Sequence, residues 1–357
     1  MSYEIKLLFT VLVVVGLMQL QTLVVAEPQV PCYFIFGDAL VDSGNNNKLV
    51  TAGKANYLPY GIDFPQGVTG RFTNGRTIAD IIGQFLGFPN FIPPYALATD
   101  QQISTGVNYG SAYAGIRQET GRTEGERVTF DMQLQNHEAV MSRLSRLQQN
   151  NTFTQDYLKK CIYLVNIGSD DYINNYLMPN NYPTSHIYTT GQYAAVLTQQ
   201  YSQQLTTLYN LGARKIVVYG LGLIGCAPTE ITRFGTDGKT CVESINNAVG
   251  LFNDRLKPVV DLLNSDFSDA RFTFINLTNI QETQGGEVLP NVACCQVRPF
   301  DGQCIPNSVF CSVRALSLWY VGFHPTETVN TIFATRSYSA LSAMDASPYD
   351  ISHLARL

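Results

Sequence analysis

Phe34-Ile35-Phe36-Gly37-Asp38-Ala39-Leu40-Val41-Asp42-Ser43-Gly44-Asn45-Asn46-Asn47 is the stretch on which the reading of this chain turns. The apolar run 32–36 reads as a buried strand. Gly37-Asp38 stops it, and Gly44 with three asparagines prolongs a polar turn. A strand-to-turn transition of this kind, at the C-terminal edge of a sheet, is where open α/β folds place their ligands.

Outward from that stretch, strands alternate with helices. Residues 161–168 form a largely apolar run ending in Gly168, the pattern of a parallel strand buried on both faces. Residues 215–219 and 271–277 read as further strands. Between them apolar residues recur at helical spacing. Leu134, His137, Met141, Leu144 and Leu147 share a face of 132–147, and 192–211 is a long helix closed by Gly212. Ile245, Ala248, Val249, Phe252, Leu256, Val259 and Leu263 mark another helix. The turn-rich run 69–77 caps a helix from Ile78 to about Leu86, and Thr326-Glu327 opens a last one to about Leu341. His137 reads as a packing or surface residue, not a base. The alternation implies a parallel sheet with helices on both faces.

The chain is 45% hydrophobic and 14% charged, with a formal net charge of −5. Mild acidity with no basic stripe argues against nucleic acid as a partner. Residues 7–18 are apolar, follow Lys6 and lead to Val24-Val25-Ala26, a small-residue cleavage site. Residues 1–26 therefore read as a secretory signal peptide, too short in its apolar core to span a membrane. That leaves 27–357 as one domain, expected to be secreted and extracellular, and no later segment approaches spanning length.

All eight cysteines follow the expected cleavage site, which fits disulfides. Cys226 and Cys241 bracket a polar loop that a bridge would staple. In the cluster Cys294-Cys295…Cys304…Cys311 the spacing is irregular and no histidine intervenes, so disulfides are preferred to zinc. The pairing stays open at this level, and Cys32 and Cys161, inside apolar strands, are candidates for free buried thiols. Asn150-Asn151-Thr152 and Asn276-Leu277-Thr278 are glycosylation sequons, usable at Asn150 and Asn276 on export.

The opening stretch closely resembles the first motif block of the plant GDSL esterase/lipase family, within the SGNH hydrolases. That block reads Phe-Gly-Asp-Ser-Leu-x-Asp-x-Gly-Asn-Asn, with the serine as nucleophile, and Ala39 stands in the serine's place. Gly106-Val107-Asn108-Tyr109-Gly110-Ser111-Ala112-Tyr113-Ala114-Gly115-Ile116 resembles the second block. There a glycine after the block's serine lends a backbone N–H to the oxyanion hole, and here the neighbourhood is Ala112-Tyr113, whose ring could fill the acyl space. Gly168-Ser169-Asp170-Asp171-Tyr172 resembles the third block, Gly-Ser-Asn-Asp-Tyr, with Asp170 at the oxyanion-hole asparagine. The last block, Trp-Asp-x-x-His-Pro-Thr-Glu, is matched around His324-Pro325-Thr326-Glu327, but Val321 stands three residues before the histidine where the triad aspartate belongs. Residues 60–80 also resemble the family. The resemblance implies a three-layer α/β/α fold with a five-stranded parallel flavodoxin-like sheet, hydrolysis of carboxylic or lipid esters, and no cofactor.

Ester hydrolysis by this design needs a hydroxyl nucleophile, a histidine to take its proton, a carboxylate to orient the histidine, and donors aimed at the oxyanion. Ala39 has no atom that can attack. Val321 cannot accept the imidazole N–H, so the retained His324 loses its orienter. Asp170, if ionised, puts negative charge where negative charge must build up. If protonated it can donate, which requires a raised pKa. The expectation is a secreted protein that has lost hydrolysis and binds a lipid, ester or protein partner. The alternative is an active ester hydrolase using a non-standard nucleophile, with Ser43 and Ser169 nearby, or a water activated by His324. A third reading gathers Asp38, Asp170, Asp171 and His324 at one sheet edge as a divalent-metal site.

Overall fold

Strand β1 (Tyr33–Gly37) pairs parallel with β2 (Ile162–Asn166), β2 with β3 (Lys215–Tyr219), and β3 with β4 (Arg271–Ile275). The two-residue β5 (Ala346–Ser347) joins β4 antiparallel. The structure is a computed structural model and describes residues 27–357 except 150, 236 and 284–289, with the side chains of 151–153 also left aside. The expected leader and the Asn150 sequon therefore lie outside the described residues.

At the free edge of β1, residues 105–111 run parallel to it. The Tyr33 and Ile35 N–H groups donate to the Thr105 and Val107 carbonyls, and the Tyr109 N–H donates back to Ile35. With this ribbon counted, the second stretch of extended chain lies outside the first and the others follow on the far side, the flavodoxin-like order. The antiparallel β5 is an addition: two paired residues leave no periodic signal in a sequence.

Alternation along the strands sorts the core into two layers. Phe34 and Phe36 face one side with Tyr163, Val165, Ile216 and Val218, and Tyr33 and Ile35 face the other with Leu164, Val217 and Tyr219. The first side is covered by α2 (Phe130–Gln148), α3 (Thr190–Asn210) and α4 (Glu243–Asp266). The second is covered by α1 (Ile78–Phe85), α5 (Glu327–Tyr338) and α6 (Ile351–Arg356). Thr77 opens α1 through a reciprocal capping box with Asp80, and Thr189 with Gln192 does the same for α3. The α2 face matches its sequence reading through Leu144, but Leu147 is 49% exposed because 3.6-residue periodicity carries it off the buried stripe. His137 is a packing residue: fully buried, its Nδ1 lies 3.1 Å from the Tyr109 hydroxyl and its ring meets Phe34 and Phe36 edge-on.

Four disulfides join Cys226 to Cys241, Cys294 to Cys311, Cys295 to Cys304, and Cys32 to Cys161. The last corrects the reading of Cys32 and Cys161 as free thiols. They immediately precede β1 and β2, whose first residues, Tyr33 and Ile162, are partners in the parallel register. Strand adjacency places them together across 129 residues of chain, and adjacency is not written in either strand's own sequence. Among the described residues no helix is long and apolar enough to cross a membrane.

Candidate functional site

The C-terminal ends of β1 and β2 open into a cleft of about 150 Å³. At Gly37 a Cβ would stand 2.1 Å from the Asn166 carbonyl, so only glycine lets β1 turn against β2 here. The Asp38 N–H bonds the same carbonyl at 3.2 Å, and Asp38 Oδ1 accepts the Leu40 N–H at 3.0 Å. Between them Ala39, 7% exposed, lines the cleft.

The asparagine run that follows is an internal brace. Asp42 accepts N–H groups from Gly44, Asn45 and Ala112 at 2.7, 2.8 and 3.1 Å. The Asn45 amide donates to the carbonyls of Asn108 and Gly110, and that of Asn46 to Gly53 and Ala112. These bonds lock the first block to 108–112 and set the next residue. Tyr113 has φ of 66°, the left-handed region that favours glycine. Its ring packs on Gly53, and its hydroxyl accepts from the Gln303 amide at 3.0 Å, so it forms part of the cleft wall.

Beyond β2, the Asp170 carboxylate lines the cleft and accepts the Asn174 amide at 2.5 Å. Burial pushes it up to about 7, the Asp171 charge adds to the rise, and the Asn174 amide and the Tyr113 N–H oppose it. Asp38 is also held well above the carboxylate range, first by burial and then by the Asp170 charge. Its Oδ2 has no hydrogen-bond partner among the described residues.

His324 reaches the cleft from the loop before α5, its ring centroid 5.4 Å from that of Phe72. Its Nδ1 is buried with no partner among the described residues, and burial lowers its pKa to about 4. Among the described residues no carboxylate bonds to Nδ1. Val321 is fully buried in an apolar cluster with Tyr60, Phe72 and Cys304.

The structure thus brings Ala39, Ala112, Tyr113, Asp170 and His324 to one cleft and leaves Val321 outside its lining. Asp171 does not join them with its carboxylate, which is occupied by the Ile116 and Arg117 N–H groups and the Thr120 hydroxyl. The metal reading of Asp38, Asp170, Asp171 and His324 loses a ligand for this reason, and among the described residues no group of three or more potential ligands has metal-holding geometry. Sequence reasoning gave no role to Asn166, Asp301 or Gln303, which also line the cleft. The last two arrive through the Cys295–Cys304 loop and carry no motif of their own.

The buried acids have a consequence for stability. Burial raises Asp42 and Asp171 to about 6, Asp170 and Glu230 to about 7, and Asp38 as well. It lowers His137 to about 3 and His324 to about 4. Each raised carboxyl contributes stability that is complete below its unfolded pKa of about 4 and lost as pH climbs through the folded value. Each lowered imidazole does the opposite, contributing above about 6.5 and losing as pH falls. The carboxyls outnumber the imidazoles, so the urea midpoint is expected to fall between about pH 5 and pH 7. A midpoint that rises across this interval would contradict these protonation states.

The chain matches the family described as GDSL-like Lipase/Acylhydrolase over residues 33–336. It is 47% identical over 340 residues to GDSL esterase/lipase At1g29670 of Arabidopsis thaliana, with 93% of each chain covered. It is 45% identical over 339 residues to GDSL esterase/lipase At4g18970 of the same plant, covering 93% of this chain and 94% of the relative. GDSL esterase/lipase 7, also from Arabidopsis thaliana, is 43% identical over 343 residues, with 93% of each covered. A mostly parallel sheet whose strand ends carry the motif blocks, and near-complete alignment with these relatives, lead to one conclusion: the chain belongs to the GDSL-like lipase/acylhydrolase family of ester hydrolases.

Proposed function

We propose that this GDSL-family protein is exported and binds an ester- or lipid-like ligand in its cleft without hydrolysing it by the serine mechanism of its fold. The observation that carries the reading is the pairing of Ala39 with an unsupported His324: no hydroxyl at position 39, and a buried Nδ1 with no acceptor among the described residues. Asp170 supports it further, because a carboxylate beside the Tyr113 N–H competes with any developing oxyanion for that donor. Four disulfides suit an oxidising compartment, and Asn276, half-buried at the end of β4, is proposed with Asn150 as a glycan acceptor.

The test is turnover of short and medium p-nitrophenyl esters by the purified secreted chain, with and without a serine-directed phosphonate. The expected result is no phosphonate-sensitive activity. Robust turnover abolished by the phosphonate would end the proposal. A second reading, hydrolysis through a His324-activated water or another nucleophile, has one observation in its favour: a pKa of about 4 keeps the imidazole neutral at physiological pH. The same shift makes it a weak base. Any turnover left unchanged by His324→Ala removes this reading.

A further inference from the structure

Residues 290–317 hold the Cys294–Cys311 and Cys295–Cys304 disulfides and turn a run of apolar side chains to solvent. Val292, Phe300, Ile305, Val309, Val313 and Leu316 are all exposed, Phe300 at 88% and Val309 at 74%. Single apolar residues are ordinary on a protein surface, but such a concentration in one segment is not. Poor packing is not the cause. Cys295 pairs with Phe310 and Val297 with Cys304 as short antiparallel bridges, and these four residues pack with Tyr60, Phe72 and Tyr320. Alternate side chains of an extended chain face opposite sides, so Val309 turns outward where Phe310 packs inward.

This apolar lip adjoins the cleft. Phe300 lies in the turn between Arg298 and Gln303, closed by the Arg298 N–H on the Gln303 carbonyl at 2.8 Å, and Asp301 and Gln303 line the cleft. Arg233 donates to the Phe300 carbonyl and lies 5.3 Å from the ring centroid of Phe323, another lining residue. The lip also carries no free charge. Its three charged side chains are matched: Arg298 pairs with Asp301 at 2.6 Å, and Arg314 holds both oxygens of Asp63. Arg233 is matched by the buried Glu230 at 3.4 Å. Anionic membranes attract unmatched basic residues, which the lip lacks, and the chain's net charge is −5. Protein interfaces add a polar, hydrogen-bonding rim, and here the charged groups of the rim are already taken. A layer of uncharged or zwitterionic headgroups asks only for apolar side chains.

We propose that residues 290–317 are a docking surface for a lipid layer with zwitterionic or uncharged headgroups, Phe300 and Val309 entering the acyl boundary beside the cleft. The two disulfides hold the lip in shape, so docking orders little chain that is not already ordered. The surface adds to the ligand reading the phase from which a lipid-like ligand is taken. It rests on that reading for its purpose alone, and the two are measured separately.

The test is flotation of the purified secreted chain with phosphatidylcholine vesicles, and with vesicles of equal parts phosphatidylcholine and phosphatidylserine, at about 0.15 M and about 1 M salt. The chain is expected to float with phosphatidylcholine at both salt concentrations and to gain nothing from phosphatidylserine. Phe300→Ser combined with Val309→Ser, both at exposed positions, is expected to weaken the partition roughly tenfold or more. Calorimetric titration with methyl octanoate reads the cleft by itself and is expected to be the same for the variant and the native chain. Flotation only with phosphatidylserine and lost at high salt, or equal flotation of variant and native chain, overturns the docking surface. So does an absence of flotation, including the case in which the native chain self-associates and the variant does not, which would make the lip an interface between copies. Methyl octanoate binding without flotation leaves the ligand reading standing, and flotation without methyl octanoate binding removes that reading and leaves the docking surface.

Discussion

The triple variant Ala39→Ser, Val321→Asp, Asp170→Asn is expected to hydrolyse short p-nitrophenyl esters on the order of 10³-fold faster than the native chain. Position 39 already faces the same cleft as His324, so a hydroxyl there needs no rearrangement of the backbone turn. The Val321 N–H donates to the His324 carbonyl at 3.3 Å, and a carboxylate at 321, where the family's triad aspartate belongs, would give Nδ1 the acceptor it lacks and lift the imidazole from about 4 towards its ordinary range, where it accepts a proton from the new hydroxyl more readily. Asparagine at 170 removes a charge, releases the Tyr113 N–H from a carboxylate and adds an amide donor of its own. Because triad members act as a unit, Ala39→Ser alone is expected to recover only a small part of this rate. Phosphonate labelling of the triple variant, with labelling lost when position 39 is returned to alanine, identifies the hydroxyl responsible. A folded triple variant that remains silent would mean that the cleft has diverged beyond these positions, and Tyr113 in the wall would be the next residue to replace.

How far the chain could be read before folding depended on whether a feature was local. The strand 215–219 is specified by its own apolar run, the helices around 132, 192 and 245 by their apolar period, and those around 78 and 327 by the residues that open them, and all are found within a few residues of the reading. Pairings across the sheet are not local. Cys32 and Cys161 read as isolated apolar thiols until β1 and β2 are known to be neighbours. The asparagines at 45 and 46 read as part of a polar turn, yet both are buried because their amides bridge to 108–112 from outside their own segment. In the cleft, motif order named Ala39, Asp170 and His324, but nothing in the sequence indicated that Asp38 would keep an unpartnered oxygen beside them or that Gln303 would reach the wall. Orphaned atoms are properties of the packed molecule, and a substitution pattern alone does not reveal them.

The second large effect concerns the loop that backs the cleft. Arg71 and Asp80, both buried, form a two-pronged ion pair with both bonds at 2.7 Å, and the guanidinium lies 4.2 Å from the Phe64 ring centroid. Asp80 is also the capping partner of Thr77 at the start of α1. Asp80→Asn keeps an oxygen for the cap but leaves the Arg71 charge buried without its counter-ion. Removing one member of a buried pair costs about 3–5 kcal/mol, because the survivor is neither hydrated nor matched. Arg71→Met combined with Asp80→Asn is expected to recover part of that loss, since the unmatched charge is gone. Urea titrations of the three variants and the native chain decide the matter, and an Asp80→Asn protein within about 1 kcal/mol of native would show that the pair is not carrying the loop. The consequence reaches the site. The Thr73 hydroxyl donates to the Pro325 carbonyl, the Glu327 N–H donates to the Asn74 side chain, and the Asn330 amide donates to the Arg76 carbonyl. Phe72, in the same loop, packs against His324. A loosened 69–77 loop therefore frees the imidazole it backs, and ligand affinity in Asp80→Asn is expected to fall together with stability, although neither Arg71 nor Asp80 lines the cleft.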